Sequence, residues 1–265
     1  MYSPVVLAWK YLKYWLTAKN GKGHGIHSPF VYELVTNVLN DRGNYYCYEP
    51  VEALRRNMLA RTDAVQVADL GAGSRKGTLS ERKVADIARH ALKPVKYGQL
   101  LFRLANYFKY KHIVELGTSL GITTCYLACS NHAAKVYTLE GVTGIAAIAR
   151  QNFQHLGLNN VDLVEGNFDA TLQHVLNKAG RLDMAYIDGN HRLEPTLRYF
   201  QQMKPFLHSK SMVVFDDIHW SAEMEQAWEK VQADPQVSLT IDLFFIGLVF
   251  FDTAFKAKQK VSIRF

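Results

Sequence analysis

The chain has 265 residues, of which 48% are hydrophobic and 21% charged. This composition predicts a folded protein with a sizeable core and excludes a disordered chain. We expect no transmembrane segment, since no run of about 18 apolar residues occurs, and no signal peptide at the beginning of the sequence. A cytoplasmic location is therefore predicted. The odd number of cysteines predicts small core side chains rather than a disulfide or metal pair, at Cys47, Cys125 and Cys129.

The net charge of +7 is concentrated in the first part of the chain. Residues 1–111 carry 18 Lys and Arg against 8 Asp and Glu, whereas residues 112–265 carry 13 against 16. A basic segment of this kind can attract an anionic substrate, nucleic acid or a membrane surface. It can equally be a set of solvated side chains on helix faces, which the dispersed spacing of the charges favours.

The first 95 residues lack a regular alternation of strands and helices, and they predict a basic helical extension over 1–95. Ser3-Pro4, Ser28-Pro29 and Glu49-Pro50 each place proline at a first helical position. Farther on, Thr78-Leu79-Ser80-Glu81 fits a capping box, the pattern that begins a helix. We therefore expect helices rather than strands throughout this extension.

The first of these helices combines aromatic and basic side chains. A helix of this composition can lie at a membrane surface. The favoured alternative is that its aromatic face packs on the rest of the protein. The residues concerned are Trp9, Tyr11, Tyr14 and Trp15 with Lys10, Lys13 and Lys19.

From Ile113 onward, strands and helices alternate, which predicts an α/β fold with a doubly wound, mostly parallel sheet. Later, the strand-like runs Val237–Phe245 and Leu248–Asp252 are joined at Ile246-Gly247, which leaves no room for a crossover helix. They must pair as an antiparallel hairpin. The preceding strands are predicted over 112–117, 135–140, 161–165, 182–188 and 211–216, and the helices over 121–131, 142–156, 168–178, 193–207 and 221–232.

The stretch His112–Ala128 contains an apolar strand, an acidic residue, two glycines and an apolar helix. Gly117 and Gly121 permit a tight turn close to a ligand, and the following helix offers unpaired N–H groups to a carboxylate or phosphate. The order Glu115-x-Gly117-x-x-x-Gly121 departs from the dinucleotide pattern G-x-G-x-x-G. A negative charge at Glu115 disfavours a pyrophosphate and suits the ammonium and sulfonium groups of S-adenosylmethionine.

The next strand ends in Glu140, where a carboxylate can accept hydrogen bonds from both ribose hydroxyls. A second glycine-rich stretch, Asp69–Ser74, also follows an apolar run. No strand that ends in an acid follows it at the spacing of a ribose-binding carboxylate. We therefore assign the cofactor to the loop after Glu115 and expect Asp69–Ser74 to be a turn near the substrate entrance.

This motif resembles the first motif of class I S-adenosylmethionine-dependent methyltransferases, particularly the small O-methyltransferases similar to catechol and caffeoyl-CoA O-methyltransferase. The resemblance covers about residues 95 to 253 and implies a Rossmann-like methyltransferase domain over 96–265 that acts on a small-molecule hydroxyl. It also implies that Thr123 contacts the methionine carboxylate and that Gly166-Asn167-Phe168-Asp169 reads the adenine. The implied cofactor-binding residues are Glu115, Gly117, Thr118, Ser119, Gly121, Thr123, Glu140, Asn167, Phe168 and Asp188.

Acidic residues stand at the carboxyl ends of two further predicted strands: Asp188 at the end of the fourth, and Asp216 and Asp217 at the end of the fifth. Ligands of open α/β sheets bind at this edge, so the three side chains should converge. The resemblance implies Mg²⁺ at these positions, and oxygen ligands suit such a hard cation. Asp217, however, stands where the family pattern has Asn.

His191 stands where the resembled enzymes have a catalytic lysine. Histidine has an ordinary pKa of about 6.5 and can accept a proton near neutral pH. We therefore predict that His191, together with Asp188, removes the proton of the methyl acceptor. In the alternative, Asp188 binds no metal and His191 only forms a hydrogen bond within its loop.

Two other functions stay open. The basic extension could serve a nucleic-acid methyltransferase, although the sequence has no Asn/Asp-Pro-Pro-aromatic motif and no recognisable RNA-binding module. The chain could also be a scaffold that binds S-adenosylmethionine without catalysis. We expect a small-molecule partner rather than nucleic acid, and the sequence leaves the oligomeric state open, a homodimer included.

Overall fold

The structure, a computed structural model, describes residues 1–68 and 79–265. By their contacts the residues form two compact units, Met1–Arg42 with Arg181–Phe265, and Gly43–Gly180. These units do not coincide with a division at residue 95, so the separate extension and methyltransferase domain stay a prediction. The glycine-rich stretch Asp69–Ser74 lies outside the described residues.

The helices and strands are numbered in chain order. The helices are α1 (Pro4–Thr17), α2 (Pro29–Leu34), α3 (Tyr48–Ala60), α4 (Val84–Ala91), α5 (Val95–Tyr107), α6 (Ile122–Cys129), α7 (Thr143–His155), α8 (Phe168–Ala179), α9 (Leu193–Met203) and α10 (Ala222–Ala233). The strands are β1 (Ala64–Ala68), β2 (Leu79–Lys83), β3 (His112–Leu116), β4 (Lys135–Glu140), β5 (Val161–Glu165), β6 (Met184–Ile187), β7 (Met212–Asp216), β8 (Leu239–Asp242), β9 (Ile246–Phe250) and β10 (Gln259–Ser262).

The proline signals locate the first two helices. α1 begins at Pro4 and α2 at Pro29, and the preceding serines, Ser3 and Ser28, accept hydrogen bonds from the first turn of each helix. Proline suits this position because its missing N–H would have no partner there. α3 begins at Tyr48, two residues before Pro50, so the expected start at that proline is wrong.

The unit Gly43–Gly180 contains three parallel strands in the order β3-β4-β5. In their register Leu116 lies beside Leu139, and Glu140 beside Glu165. The carboxyl ends of the three strands are therefore level, and the loops that follow them begin at one edge. The three cysteines are buried, as expected for core side chains.

A two-stranded antiparallel sheet occurs in the part of this unit that was expected to be helical. β1 and β2 pair so that Ala64 lies beside Lys83 and Ala68 beside Leu79. The capping-box prediction is therefore wrong from Leu79 onward, because β2 occupies this stretch and α4 begins only at Val84. The cross-strand hydrogen bonds come from residues distant in the sequence, so a local capping pattern cannot anticipate them.

In the other unit the strands follow the order β10-β8-β9-β7-β6. β6 is parallel to β7 and β10 to β8, whereas β9 is antiparallel to both β7 and β8. Strands and helices alternate along the chain, and parallel pairs predominate. The predicted α/β fold with a C-terminal antiparallel hairpin is confirmed.

The turn of this hairpin is not where the sequence placed it. Ile246 and Gly247 begin β9, and the chain reverses before them, at Phe244, which has a φ of 69°. Gly247 is required for packing, because a Cβ there would lie 2.5 Å from the Trp228 ring. Gly247 thus allows β9 to pack against Trp228 of α10 and does not form the turn.

Two expectations about membranes can be compared with the structure. Among residues 1–68 and 79–265, no helix is both long and apolar enough to cross a membrane. The aromatic face of α1 was expected to pack on the protein. Tyr11 and Tyr14 do pack against Phe244, but Trp9 and Trp15 are exposed, so the expectation holds for only part of the helix.

Candidate cofactor and acceptor sites

The glycine loop between β3 and α6 has the tight backbone that the sequence predicted. Gly117, Ser119 and Gly121 have φ values of 99°, 47° and 79°, in the left-handed region. The N–H groups of Gly117 and Thr118 both donate to the Leu139 carbonyl at 3.1 Å, which holds the loop against β4. The loop therefore lies at the carboxyl end of the strands, where ligands of α/β sheets bind.

Gly121 has a second role that the sequence analysis missed. A Cβ at this position would lie 2.6 Å from Cε1 of Phe153 and 3.3 Å from Cβ of Ala149, both on α7. Gly121 therefore allows α7 to pack closely against the start of α6. Its contribution to a ligand site is indirect, because it determines where the first turn of α6 lies.

Glu115, at the end of β3, is fully buried and connects several elements of this unit. Its Oε2 accepts hydrogen bonds from the Thr124 hydroxyl and, at 2.7 Å, from the Thr138 hydroxyl. Because Thr138 donates its only hydroxyl proton to Glu115, Thr118 must be the donor in its 2.6 Å contact with Thr138. This network joins β3, β4, the glycine loop and α6, so Glu115 lies beneath the loop. Its contact with a cofactor stays a prediction.

Glu140 ends β4 and holds the glycine loop from the other side. Its Oε2 accepts a hydrogen bond from the Ser119 N–H at 2.8 Å, and its Oε1 accepts one from the Val142 N–H at 3.0 Å. Burial raises the pKa of this carboxyl, and the backbone N–H bonds oppose that rise. Glu140 therefore stands beside the loop, and its bonds to ribose hydroxyls stay a prediction.

The remaining predicted cofactor residues fall into two groups. Thr118 is buried, whereas Gly117, Ser119 and Thr123 are half-buried and offer polar groups at the loop surface. Asn167 is exposed and caps α8, where its Oδ1 accepts a hydrogen bond from the Asp169 N–H at 2.9 Å.

The chain near Asn167 is tied to β4 by its backbone. The Gly166 N–H donates to the Glu140 carbonyl at 2.9 Å. Gly166 has a φ of 131°, which favours glycine. The adjacent Phe168 is half-buried. The predicted adenine turn therefore begins at the end of β5 and lies beside Glu140 at the end of β4. Its contact with adenine stays a prediction.

In the other unit, Asp188, His191 and Asp216 form a cluster whose ligand atoms all lie within 4.8 Å of one another. Asp188 follows β6 and Asp216 ends β7, and these two strands are parallel neighbours. Asp188 accepts a hydrogen bond from the Tyr186 hydroxyl at 3.0 Å, and its Oδ1 lies 3.5 Å from Nε2 of His191. The predicted meeting of acids at the strand ends therefore occurs, with a histidine among them.

Two details of this cluster differ from the predicted metal set. Asp217 is not a member; its φ is 53° and its N–H donates to the Phe245 carbonyl at 2.7 Å. Asn190, which the sequence analysis did not single out, has a φ of 56° and donates from its amide to the Tyr199 hydroxyl at 3.2 Å. Asparagine tolerates such a backbone better than most residues, so it shapes the turn between Asp188 and His191.

A second histidine of this unit, His219, lies between two carboxylates. Its Nε2 is 2.8 Å from Asp242 and its Nδ1 is 3.1 Å from Glu225, and its ring stacks on Phe244. Burial alone lowers the pKa of His219, but the hydrogen bonds and charges of Asp242 and Glu225 outweigh this effect and raise it. Both ring nitrogens are thus engaged, which suits a structural cation rather than a general base.

Comparison with known proteins finds that residues 114–218 match a methyltransferase domain family. The matched segment contains the glycine loop, Glu140 and the cluster around Asp188. The chain is also 32% identical, over 124 residues, to catechol O-methyltransferase of Niastella koreensis. The match covers 46% of this chain and 55% of that protein, so the chain spans about half the length of this curated relative.

Solved structures show the same fold. The methyltransferase PaMTH1 of Podospora anserina, bound to S-adenosylhomocysteine (SAH), superposes with a TM-score of 0.59 at 15% identity. The match covers 85% of this chain and 97% of that one. The O-methyltransferase of Bacillus cereus in complex with SAH gives a TM-score of 0.56 at 21% identity, over 83% and 97%. The predicted Rossmann-like fold is therefore confirmed.

Proposed function

We propose that the chain is an enzyme that transfers a methyl group from S-adenosylmethionine to a hydroxyl of a small molecule. One observation carries this proposal: the segment that matches a methyltransferase domain also holds a carboxylate–histidine cluster at the ends of β6 and β7. The curated relative and the Bacillus cereus protein are named O-methyltransferases. This favours a hydroxyl acceptor over nucleic acid and catalysis over a scaffold role.

In this proposal the glycine loop binds the cofactor. Gly117, Ser119 and Thr123 are half-buried, so they are the loop residues proposed to contact the cofactor. The first turn of α6 adds N–H groups suited to a carboxylate. Glu140 accepts the ribose hydroxyls while its bond to the Ser119 N–H keeps the loop in place. The buried network of Glu115 positions the loop from below.

The loop assignment can be tested with a matched pair of glycines. Gly117 and Gly157 both have positive φ, 99° and 65°, so alanine at either position costs about 1–2 kcal/mol of stability. Only Gly117 lies in the loop. We expect Gly117→Ala to weaken SAH binding at least tenfold in titration calorimetry, with Gly157→Ala unchanged. Equal affinities would show that the cofactor binds elsewhere.

Within the acceptor site, His191 is proposed to remove the proton of the acceptor hydroxyl. A hydroxyl oxygen must lose this proton in order to form the bond to the methyl group, and a positioned base accelerates the step. The Asp188 carboxylate, 3.5 Å from Nε2 of His191, orients the ring and stabilises the imidazolium that forms.

A divalent cation fits part of this cluster. Asp188 and Asp216 offer the carboxylate oxygens that Mg²⁺ prefers, whereas a nitrogen ligand such as His191 suits it less well. We therefore propose that Asp188 and Asp216 hold the cation and that His191 stays available as the base. When bound, the cation supplies a positive charge that favours the deprotonated form of the acceptor.

The overall proposal is tested by incubating the chain with radiolabelled S-adenosylmethionine, Mg²⁺ and a panel of small hydroxyl compounds that begins with catechol. Label in a methyl ether product supports it. Label in RNA or DNA, or tight SAH binding without transfer to any acceptor, would favour one of the two alternatives instead. A cytoplasmic location and a homodimer stay predictions.

A further inference from the structure

Helix α1 packs against its own unit through one side. Tyr14 is buried, and its ring centroid lies 5.3 Å from that of Phe244. At the edge of this packed side, Lys10 forms an ion pair of 2.9 Å with Glu225 on α10, and the Tyr2 hydroxyl donates to the same carboxylate. The helix is thus anchored by an aromatic contact and a charged one, which determine the side that it presents outward.

The outward side of α1 is apolar as well. Val5, Trp9, Leu12 and Leu16 are 79%, 69%, 46% and 64% exposed. Their spacing of four, three and four residues places them on one face of the helix, opposite Tyr14. A contiguous apolar face that is exposed on a folded protein commonly marks an interaction surface. This outward face of α1 therefore needs a partner that covers it.

Two segments of the sequence near this face are basic and contain no acidic residue, and Glu225 on α10 pairs with Lys10 at its edge. Residues 1–32 contain four lysines and no Asp or Glu, and residues 253–265 contain three lysines, one arginine and no Asp or Glu. The two segments lie side by side, because the Lys19 N–H donates to the Ser262 carbonyl and the Arg264 N–H to the Lys19 carbonyl. The Arg264 guanidinium also lies 4.3 Å from the centre of the Trp15 ring.

We propose that the outward face of α1 docks on an anionic lipid bilayer. Tryptophan favours the membrane–water interface, and an amphipathic helix bordered by basic side chains lies in that plane with its apolar face in the acyl region. The acid-free segments supply the charge that anionic headgroups attract. A second copy of the chain is a poorer occupant, since it would bring two basic segments together.

The test measures co-sedimentation with vesicles of phosphatidylcholine alone and of phosphatidylcholine mixed with phosphatidylglycerol. We expect binding only to the anionic vesicles, weakened by added salt. Trp9→Gln combined with Leu16→Gln should lower the partition constant about a hundredfold, because two large apolar side chains no longer enter the bilayer. Lys13→Gln should lower it about fivefold, since each basic residue near such a surface contributes about 1 kcal/mol.

A matched control replaces two other exposed apolar residues, Val95 and Tyr107, with glutamine; its binding should equal that of the wild type. Helix content from circular dichroism verifies that each variant is folded. Salt-independent binding to neutral vesicles overturns the anionic assignment. A complete lack of vesicle binding overturns the proposal as well. If the chain then forms a dimer that Trp9→Gln with Leu16→Gln abolishes, a second copy of the chain covers this face.

Discussion

Replacing Gly121 with alanine tests whether the close packing of α6 against α7 requires glycine at this position. The added Cβ would lie 2.6 Å from Cε1 and 2.9 Å from Cζ of Phe153, which is nearer than real Cβ contacts. Relief of such overpacking costs about 1–3 kcal/mol. The left-handed φ of 79° adds about 1–2 kcal/mol for a residue with a Cβ. We therefore expect Gly121→Ala to lower the free energy of unfolding by about 2–5 kcal/mol.

Urea unfolding measures this loss, and Gly157→Ala separates its two causes. Gly157 has a φ of 65°, and a Cβ added there would meet no atom within 4 Å, so its alanine variant should lose only the conformational part, about 1–2 kcal/mol. In a double-mutant cycle, Phe153→Leu should recover about 1–2 kcal/mol of the loss at Gly121, because the shorter side chain vacates the ring edge. If Gly121→Ala and Gly157→Ala lose equal stability and the cycle shows no coupling, contact with Phe153 does not explain the glycine.

Three further predictions concern residues of the unit formed by Met1–Arg42 and Arg181–Phe265. His191→Ala should lower kcat about 10²- to 10⁴-fold with SAH affinity unchanged in calorimetry; loss of acceptor affinity at an unchanged kcat would make His191 a binding residue. Methyl transfer should stop with a chelator and return with Mg²⁺, and Asp216→Ala should reproduce the chelated rate; turnover that a chelator leaves unaffected would exclude the metal. The pKa of His219 is raised in the folded chain, so protonated His219 stabilises the fold. This stabilisation is complete at a pH below the unfolded pKa of about 6.5. That stabilisation is lost as the pH rises through the higher folded pKa, so urea unfolding should show a decline in stability that His219→Gln lacks.

The amino-acid sequence by itself determined the regular alternation of this fold. β4 and β5 occupy the predicted ranges 135–140 and 161–165, and α8 begins at the predicted residue 168. These elements could be predicted because their signals are local: apolar runs of strand length, helical periodicity and capping residues. The same holds for the acids at the strand ends, since a parallel sheet brings those ends to one edge.

Only the tertiary structure decided the meaning of several residues in that framework. Gly121 and Gly247 could each be a turn glycine in the sequence, yet Phe153 and Trp228 explain them through packing. Glu115 has the acidic side chain expected of a ligand contact, but it is buried among threonine hydroxyls. His191 joins Asp188 and Asp216, whereas the adjacent Asp217 does not. Such outcomes depend on side chains that are distant in the sequence and meet only in the folded chain, and a local pattern contains no information about those neighbours.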